Sequence, residues 1–199
     1  AFQEAPSVDI TKPVTKWSYC VNNPDEVSDV ISEAFKIANS GKKGSVHIDL
    51  PKCILTSLTD KHEIIIKEID NENNTDYSCS MDKISNIILK SKKPILYVGQ
   101  GAINSSSYIN ELANIYNIPV TTTLHGMGIY DEYNDLSLKM CGMHGHAAAN
   151  YALQEADCII AIGSRFDDRT TGNLDLYAPN AKKAYKENRG GIIHCNINS

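Results

Sequence analysis

Residues 158–162 read Cys-Ile-Ile-Ala-Ile, five apolar residues in a row that stop at Gly163-Ser164. A run this short, without polar alternation and closed by a glycine, fits a strand buried on both faces. Such strands belong to parallel sheets covered by helices. The next residues, Arg165-Phe166-Asp167-Asp168-Arg169, then stand at a strand's carboxyl end. Open α/β sheets take up ligands along that edge. Two guanidinium groups suit a pyrophosphate or a carboxylate, because each offers a planar fork of donors. The aspartates can hold the arginines in place or accept from ligand hydroxyls. The same charges could form a surface ion-pair network; their place directly behind a buried strand favours the ligand reading.

The rest of the chain repeats the theme. The spacing of Val27, Val30, Ile31, Ala34, Phe35 and Ala38 predicts a helix over 24–40, with Asp25 and Glu26 at its positive end and Gly41 as its stop. A strand over 45–50 follows, closed by Pro51. Helix feeding strand reads as the tail of an α/β domain, its earlier strands expected to be missing from the chain. Residues 56–80 are dominated by Thr, Ser, Asp, Asn and Glu and predict an irregular linker. From Met81 a second domain is expected: helix with Ile84, Ile87 and Ile88, strand 95–98, helix 105–116 capped by serine, strand 119–123, loop 124–128, helix 147–155, strand 158–162 and strand 191–197. The predicted fold class is therefore α/β, a doubly wound parallel sheet over 81–199, preceded by part of another α/β domain over 1–55, with 56–80 between them.

Composition narrows the function. Of 199 residues, 42% are hydrophobic and 22% charged, the balance of a soluble globular protein. A net charge of −5 argues against a nucleic-acid or anionic-membrane surface. No apolar run approaches the ~18 residues a bilayer span needs, and Ala1-Phe-Gln-Glu has neither a basic region nor an apolar one to make a secretory signal. It also lacks an initiator methionine, which reads as a piece of a longer protein. The six cysteines are scattered without a C-x-x-C pair and read as reduced thiols. His125, His144 and His146 have no acidic or thiol partners at ligand spacing, so no metal site is expected in the chain.

Gly99-Gln100-Gly101 follows a strand and precedes a helix, like half of a dinucleotide fingerprint. Asn104 stands where the third glycine would be, and a tight strand-to-helix turn explains the pattern about as well. Thr123-Leu124, Gly142-Met143-His144-Gly145 and Gly163-Ser164-Arg165 point to the same edge, which favours a long nucleotide stretched across the sheet.

Four motifs, Ile118-Pro-Val-Thr-Thr-Thr-Leu, Gly142-Met-His-Gly, Ala149-Asn-Tyr-Ala and Gly163-x-Arg-Phe-Asp-Asp-Arg-x-Thr-Gly, in this order and spacing, resemble the catalytic subunit of acetohydroxyacid synthase (acetolactate synthase). Ala1-Phe-Gln-Glu, Thr15-Lys-Trp17 and Val46-x-Ile-Asp-Leu-Pro-Lys52 are similar to the preceding region of that family, and Asn188-Arg-Gly-Gly-Ile-Ile-His194 resembles its fungal, mitochondrial branch. The resemblance implies an enzyme that uses thiamine diphosphate and Mg²⁺ to decarboxylate pyruvate. The resulting hydroxyethyl group is joined to a second 2-ketoacid, the first common step of branched-chain amino-acid synthesis. It further implies a subunit of three α/β domains whose central one binds an extended, structural FAD. Active sites between two subunits of a homo-oligomer and a possible regulatory subunit are implied too.

Carried over by position, the resemblance implies flavin contacts at Lys42, Gly99, Gln100, Gly101, Asn104, Thr123, Leu124, Cys141, Gly142, Met143, His144, Gly163, Ser164, Arg165, Asp167 and Arg169. It implies a substrate channel, also the binding place of sulfonylurea and imidazolinone herbicides, lined by Phe2, Gln3, Lys52, Met143, Asp168 and Arg169. Gln3 is suited to hydrogen-bond a substrate or intermediate, and Arg169 to hold the carboxylate of the incoming 2-ketoacid. Lys42 replaces a family arginine, keeping the charge and losing the fork; Asn196 replaces an acidic residue, and Lys52-Cys53 the common Lys-Asp. In the family the glutamate that activates thiamine lies upstream of this region and the diphosphate-Mg²⁺ motif downstream. These 199 residues alone are thus expected not to catalyse the reaction. Another thiamine-dependent oxidase or decarboxylase, or a stand-alone nucleotide-binding module, would share the central fold.

Overall fold

The computed structural model describes residues 4–60 and 78–197 of the chain, which form two units, one within residues 1–74 and the other within 75–197. Phe2, Gln3 and residues 61–77 of the expected linker lie outside the described residues.

The first unit runs α1 (Ser7–Thr11), β1 (Trp17–Cys20), α2 (Val27–Asn39), β2 (Val46–Asp49) and α3 (Lys52–Leu55). β1 and β2 pair in parallel, Trp17 opposite Val46 and Cys20 opposite Asp49. An earlier strand is thus present, contrary to the reading that placed it outside the chain. Trp17-Ser-Tyr-Cys20 is half-buried along its length and carries neither the apolar run nor the alternation that marks a strand in sequence. A 3-10 turn over Pro24–Glu26 leads into α2, and it is this turn that opens with a capping box. The Asn23 side chain accepts from the Asp25 N–H (3.0 Å), and the Glu26 carboxylate accepts from the N–H groups of Asn22 and Asn23. Only part of the predicted stripe is covered within this unit: Val30 and Ala34 are buried, while Phe35 is 63% exposed.

The second unit runs α4 (Ser78–Lys90), β3 (Pro94–Val98), α5 (Ser106–Tyr116), β4 (Val120–Thr122), β5 (Ser137–Met140), α6 (Ala147–Glu155), β6 (Cys158–Ile162), α7 (Asp168–Thr171), α8 (Pro179–Lys186) and β7 (Gly191–Cys195). All five strands are parallel, in the order β5-β4-β3-β6-β7. This is the doubly wound α/β sheet that the apolar runs predict. Side chains alternate between two cores, as a two-residue period requires. Leu96, Val98, Val120, Cys158 and Ile160 pack with Ile109 and Ala113 of α5 and the Ile84, Ile87, Ile88 stripe of α4. Ile95, Tyr97, Ile159 and Ala161 pack on the other face with Ala149 and Leu153 of α6 and Ala181 of α8.

Several elements differ from expectation. α4 begins at Ser78 rather than Met81. A 3-10 turn over Gln100–Ser105 precedes α5, and Ser105 makes no side-chain cap there, because that turn already continues the chain into the helix. β5 and α8 have no strong apolar pattern in sequence. β5 is an edge strand with a register shift against β4, and α8 buries only Ala181 and Ala184.

The amino-terminal edge of the sheet is closed by one carboxylate. Asp157, buried just ahead of β6, accepts from the Lys92 and Lys93 N–H groups (2.9 Å each) and from Arg189 Nη1 (3.0 Å). It ties the start of β3 to the turn before β7, and all its partners are donors, as a buried carboxylate requires.

Burial pushes the thiol of Cys158 up to about 11 and that of Cys141 upward as well. A thiol whose folded pKa is raised stabilises the fold below its unfolded value and loses that contribution as pH rises toward the folded one. Stability should therefore fall between about pH 9 and 11, seen as a declining denaturation midpoint. In native protein a thiol reagent should modify exposed Cys53 at once, and Cys141 and Cys158 only on unfolding.

Candidate functional site

The sheet order reverses between β3 and β6: β3 leads through α5 to β4 on one side, and β5 leads through α6 to β6 on the other. A switch point of this kind opens a crevice outside the carboxyl ends of the two strands. Here the loops after β3 and β6 interlock. The Gly99 N–H donates to the Ile162 carbonyl (2.9 Å) and the Gly101 N–H to the Gly163 carbonyl (3.0 Å). A methyl on Gly99 would lie 2.4 Å from the Gly163 oxygen, and one on Gly163, whose φ is +63°, 2.4 Å from the Ala102 nitrogen. The glycines of the half-fingerprint thus serve first to let two protein loops touch, a role that neither the phosphate nor the tight-turn explanation of the sequence names.

The loops after β4 and β5 join the same edge. The Thr123 N–H donates to the Val98 carbonyl (2.9 Å), and the Cys141 N–H to the Thr122 carbonyl (3.1 Å). Beyond β5, Gly142 turns at φ +97° and the Met143 N–H donates to the Arg169 carbonyl at 2.9 Å. The Arg169 Nη1 lies 3.8 Å from the Met143 sulfur. Gly99, Gln100, Gly101, Asn104, Thr123, Leu124, Cys141, Gly142, Met143, His144, Gly163, Ser164, Arg165, Asp167, Asp168 and Arg169 therefore share one edge of one sheet. Gln100, Asn104, Leu124, Met143, His144, Arg165 and Arg169 present exposed side chains there. Lys42 and Lys52 are exposed residues of the first unit.

The acidic pair does two different things. Asp167 caps α7, its carboxylate accepting from the Thr170 N–H (3.2 Å) and hydroxyl (3.3 Å). Asp168 lies 3.9 Å from the Arg169 Nε with both side chains largely in solvent, which leaves the guanidinium little constrained.

Other side chains hold the segment 163–171 in place, and sequence reasoning passed over most of them. Phe166 is the inward anchor, its ring 5.5 Å from Tyr97, 6.1 Å from Tyr177 and 5.1 Å from His194. Burial raises the phenol of Tyr97 above its usual range, and its hydroxyl lies 3.4 Å from that of Thr170. The Ser164 carbonyl accepts from Asn196 Nδ2 and from His194 Nε2, 2.8 Å each. Because a carbonyl only accepts, the proton of His194 sits on Nε2. An aromatic inside a charged loop was the available signal for Phe166; nothing in the sequence tied His194 and Asn196, thirty residues on, to this segment.

Two buried hydroxyls at this edge, Ser164 Oγ and Thr122 Oγ1, have no hydrogen-bond partner among the described residues. Orphaned polar atoms cost stability unless a ligand or water completes them. Together with two exposed arginines they suit a ligand rich in phosphate and hydroxyl groups. The residues present fit FAD in that respect.

An open, parallel, doubly wound sheet whose strand order reverses between β3 and β6 is the architecture of a nucleotide-binding type of α/β domain. Residues 81–199 match the family described as "Thiamine pyrophosphate enzyme, central domain", and the chain belongs to that family. It is 41% identical to "Acetolactate synthase, mitochondrial" of Schizosaccharomyces pombe and 42% identical to "Acetolactate synthase catalytic subunit, mitochondrial" of Saccharomyces cerevisiae. Each match covers 99% of this chain, and 31% and 30% of the relative. To "Acetolactate synthase, chloroplastic" of Arabidopsis thaliana it is 38% identical, over 100% of this chain and 29% of that protein. The chain thus spans about a third of the length of these relatives.

Gly163→Ala should destabilise the protein by about 2 kcal/mol or more, since it combines a left-handed backbone with a clash against backbone. Gly128→Ala, also at positive φ but in open space, should cost only ~1 kcal/mol. Denaturant melts of the two variants make the comparison; equal losses would show that the loop contact is not tight.

Proposed function

We propose that the chain is part of an acetolactate synthase catalytic subunit whose 81–199 domain holds FAD along the carboxyl edge of its sheet. The observation that carries this reading is the gathering of four strand-end motifs, with their orphaned hydroxyls and exposed arginines, on that edge. The identity to fungal acetolactate synthases over nearly the whole chain supports it.

In this reading Gly99, Gln100, Gly101 and Asn104 follow the ligand beside β3, Thr123 and Leu124 beside β4, and Cys141, Gly142, Met143 and His144 beside β5. Gly163, Ser164, Arg165, Asp167 and Arg169 flank it beside β6. Arg165 neutralises phosphate charge and Ser164 offers its free hydroxyl. The flavin contributes structure rather than net redox chemistry. The whole enzyme uses thiamine diphosphate and Mg²⁺ to condense pyruvate with pyruvate or 2-ketobutyrate. Arg169 binds the carboxylate of the second 2-ketoacid, with Met143 and Asp168 beside it on this edge, at the channel where herbicides bind. The enzyme acts in mitochondria as a homodimer or higher homo-oligomer, with a regulatory subunit as partner.

FAD fluorescence should be quenched saturably by the purified protein, with no comparable binding of NAD. Removing a charge-assisted hydrogen bond weakens binding about tenfold or more, so an Arg165→Ala/Arg169→Ala variant should lose FAD strongly. Undiminished binding by the folded double variant would move the ligand off this edge.

A further inference from the structure

The loop Gly142–Gly145 has no regular secondary structure to hold it, yet it bears Met143 and His144, two of the exposed side chains of the site. One amide grips it. Asn150, in the first turns of α6, accepts from the Gly142 N–H through Oδ1 (2.8 Å) and donates from Nδ2 to the Gly142 carbonyl (2.9 Å). Only one orientation of the amide satisfies both bonds, because the reverse would set donor against donor and acceptor against acceptor. Across the loop, the Arg169 carbonyl takes the Met143 N–H, and a methyl on Gly142 would lie 3.3 Å from that same oxygen. Behind it, Gly145 packs so tightly that a methyl would lie 2.4 Å from the Met140 oxygen. The loop is therefore held between α6 and α7, and Asn150 is the side chain that bonds both main-chain polar groups of its leading residue, Gly142.

We infer that Asn150 is a positioning residue for the proposed flavin and channel site. It fixes Gly142 at its left-handed turn, so that Met143 is presented beside Arg169 and His144 toward the sheet edge. This rests on the flavin reading above. Asn150 touches no proposed ligand itself; a leucine would fill its space without the two bonds, and an alanine would remove both the bonds and the volume. The conservative substitution is informative because aspartate keeps the acceptor for the Gly142 N–H and replaces the donor. Ionised, it sets a carboxylate against the Gly142 carbonyl; protonated, it donates as the asparagine does.

The test is the pH profile of FAD affinity for wild-type protein, Asn150→Asp and Asn150→Ala, with the Gly142 amide resonance followed without ligand. His144 and His146 on and beside the loop, and Asp167, Asp168 and Arg169 across it, are common to all three, so the wild-type profile serves as the reference. Loss of a bond to a buried polar group predicts that Asn150→Asp binds FAD about tenfold or more weaker at pH 8. It should start to recover that affinity as pH falls below about 5, where an aspartic acid begins to carry its proton, while Asn150→Ala stays weak throughout. The Gly142 resonance of Asn150→Asp should move over the same pH range. An Asn150→Asp affinity parallel to wild type at every pH, with an unmoved Gly142 amide, would overturn the inference. If wild-type protein takes up no FAD, the flavin reading fails and the Gly142 resonance alone decides: a pH-dependent shift supports the clamp, a pH-independent one refutes it.

Discussion

Everything at the candidate site depends on one backbone contact, the interlock of the loops after β3 and β6. Gly99, Gly101 and Gly163 approach so closely that a single added methyl would meet peptide atoms at 2.4–2.8 Å. Backbone cannot give way as the end of a flexible side chain can, so the contact fixes both loops relative to the sheet. From there the edge is assembled outward. The 3-10 turn over 100–105 follows β3, the Arg165–Arg169 segment follows β6, and the carbonyl of Arg169 reaches the loop beyond β5. The site is a consequence of sheet topology made exact by three missing side chains.

The two edges of the sheet settle their polar groups differently. At the amino end Asp157 collects two backbone N–H groups and one guanidinium, and the edge is satisfied by the protein itself. At the carboxyl end two buried hydroxyls have no partner among the described residues, and the arginines point outward. A buried donor or acceptor left over in a folded protein marks a place where something else completes the accounting. That difference is what sets the proposed binding edge apart from the structural one.

How much of this was legible in the sequence follows from how strongly each element announces itself. Cys158–Ile162 and Ile95–Val98 are central strands buried on both faces, and their apolar runs gave the sheet and its parallel sense. β5 is an edge strand and α8 buries only alanines, so neither carries a run or a stripe; β1 is short and half-buried, and its pairing with β2 shows only in three dimensions. The charged cluster after β6 was readable because Gly163 breaks the strand. Its supports were not: Asp157, Asn150, His194 and Asn196 act through bonds to backbone atoms 8 to 65 residues away. Such bonds leave no local pattern, since any carbonyl or N–H can be the partner. The role of the glycines was half legible, close approach being evident and its partner not.

The central claim is that ligand binding belongs to the carboxyl edge of the 81–199 sheet and to no other surface of that domain. Amide hydrogen exchange of the intact protein with and without FAD tests it most directly. Slowing of exchange is predicted in residues 99–104, 123–126, 141–145 and 163–169, with no change at Lys92, Lys93 and Asn117 on the opposite edge. Protection centred on the amino edge, or none in the four loops while FAD is bound, would contradict the account.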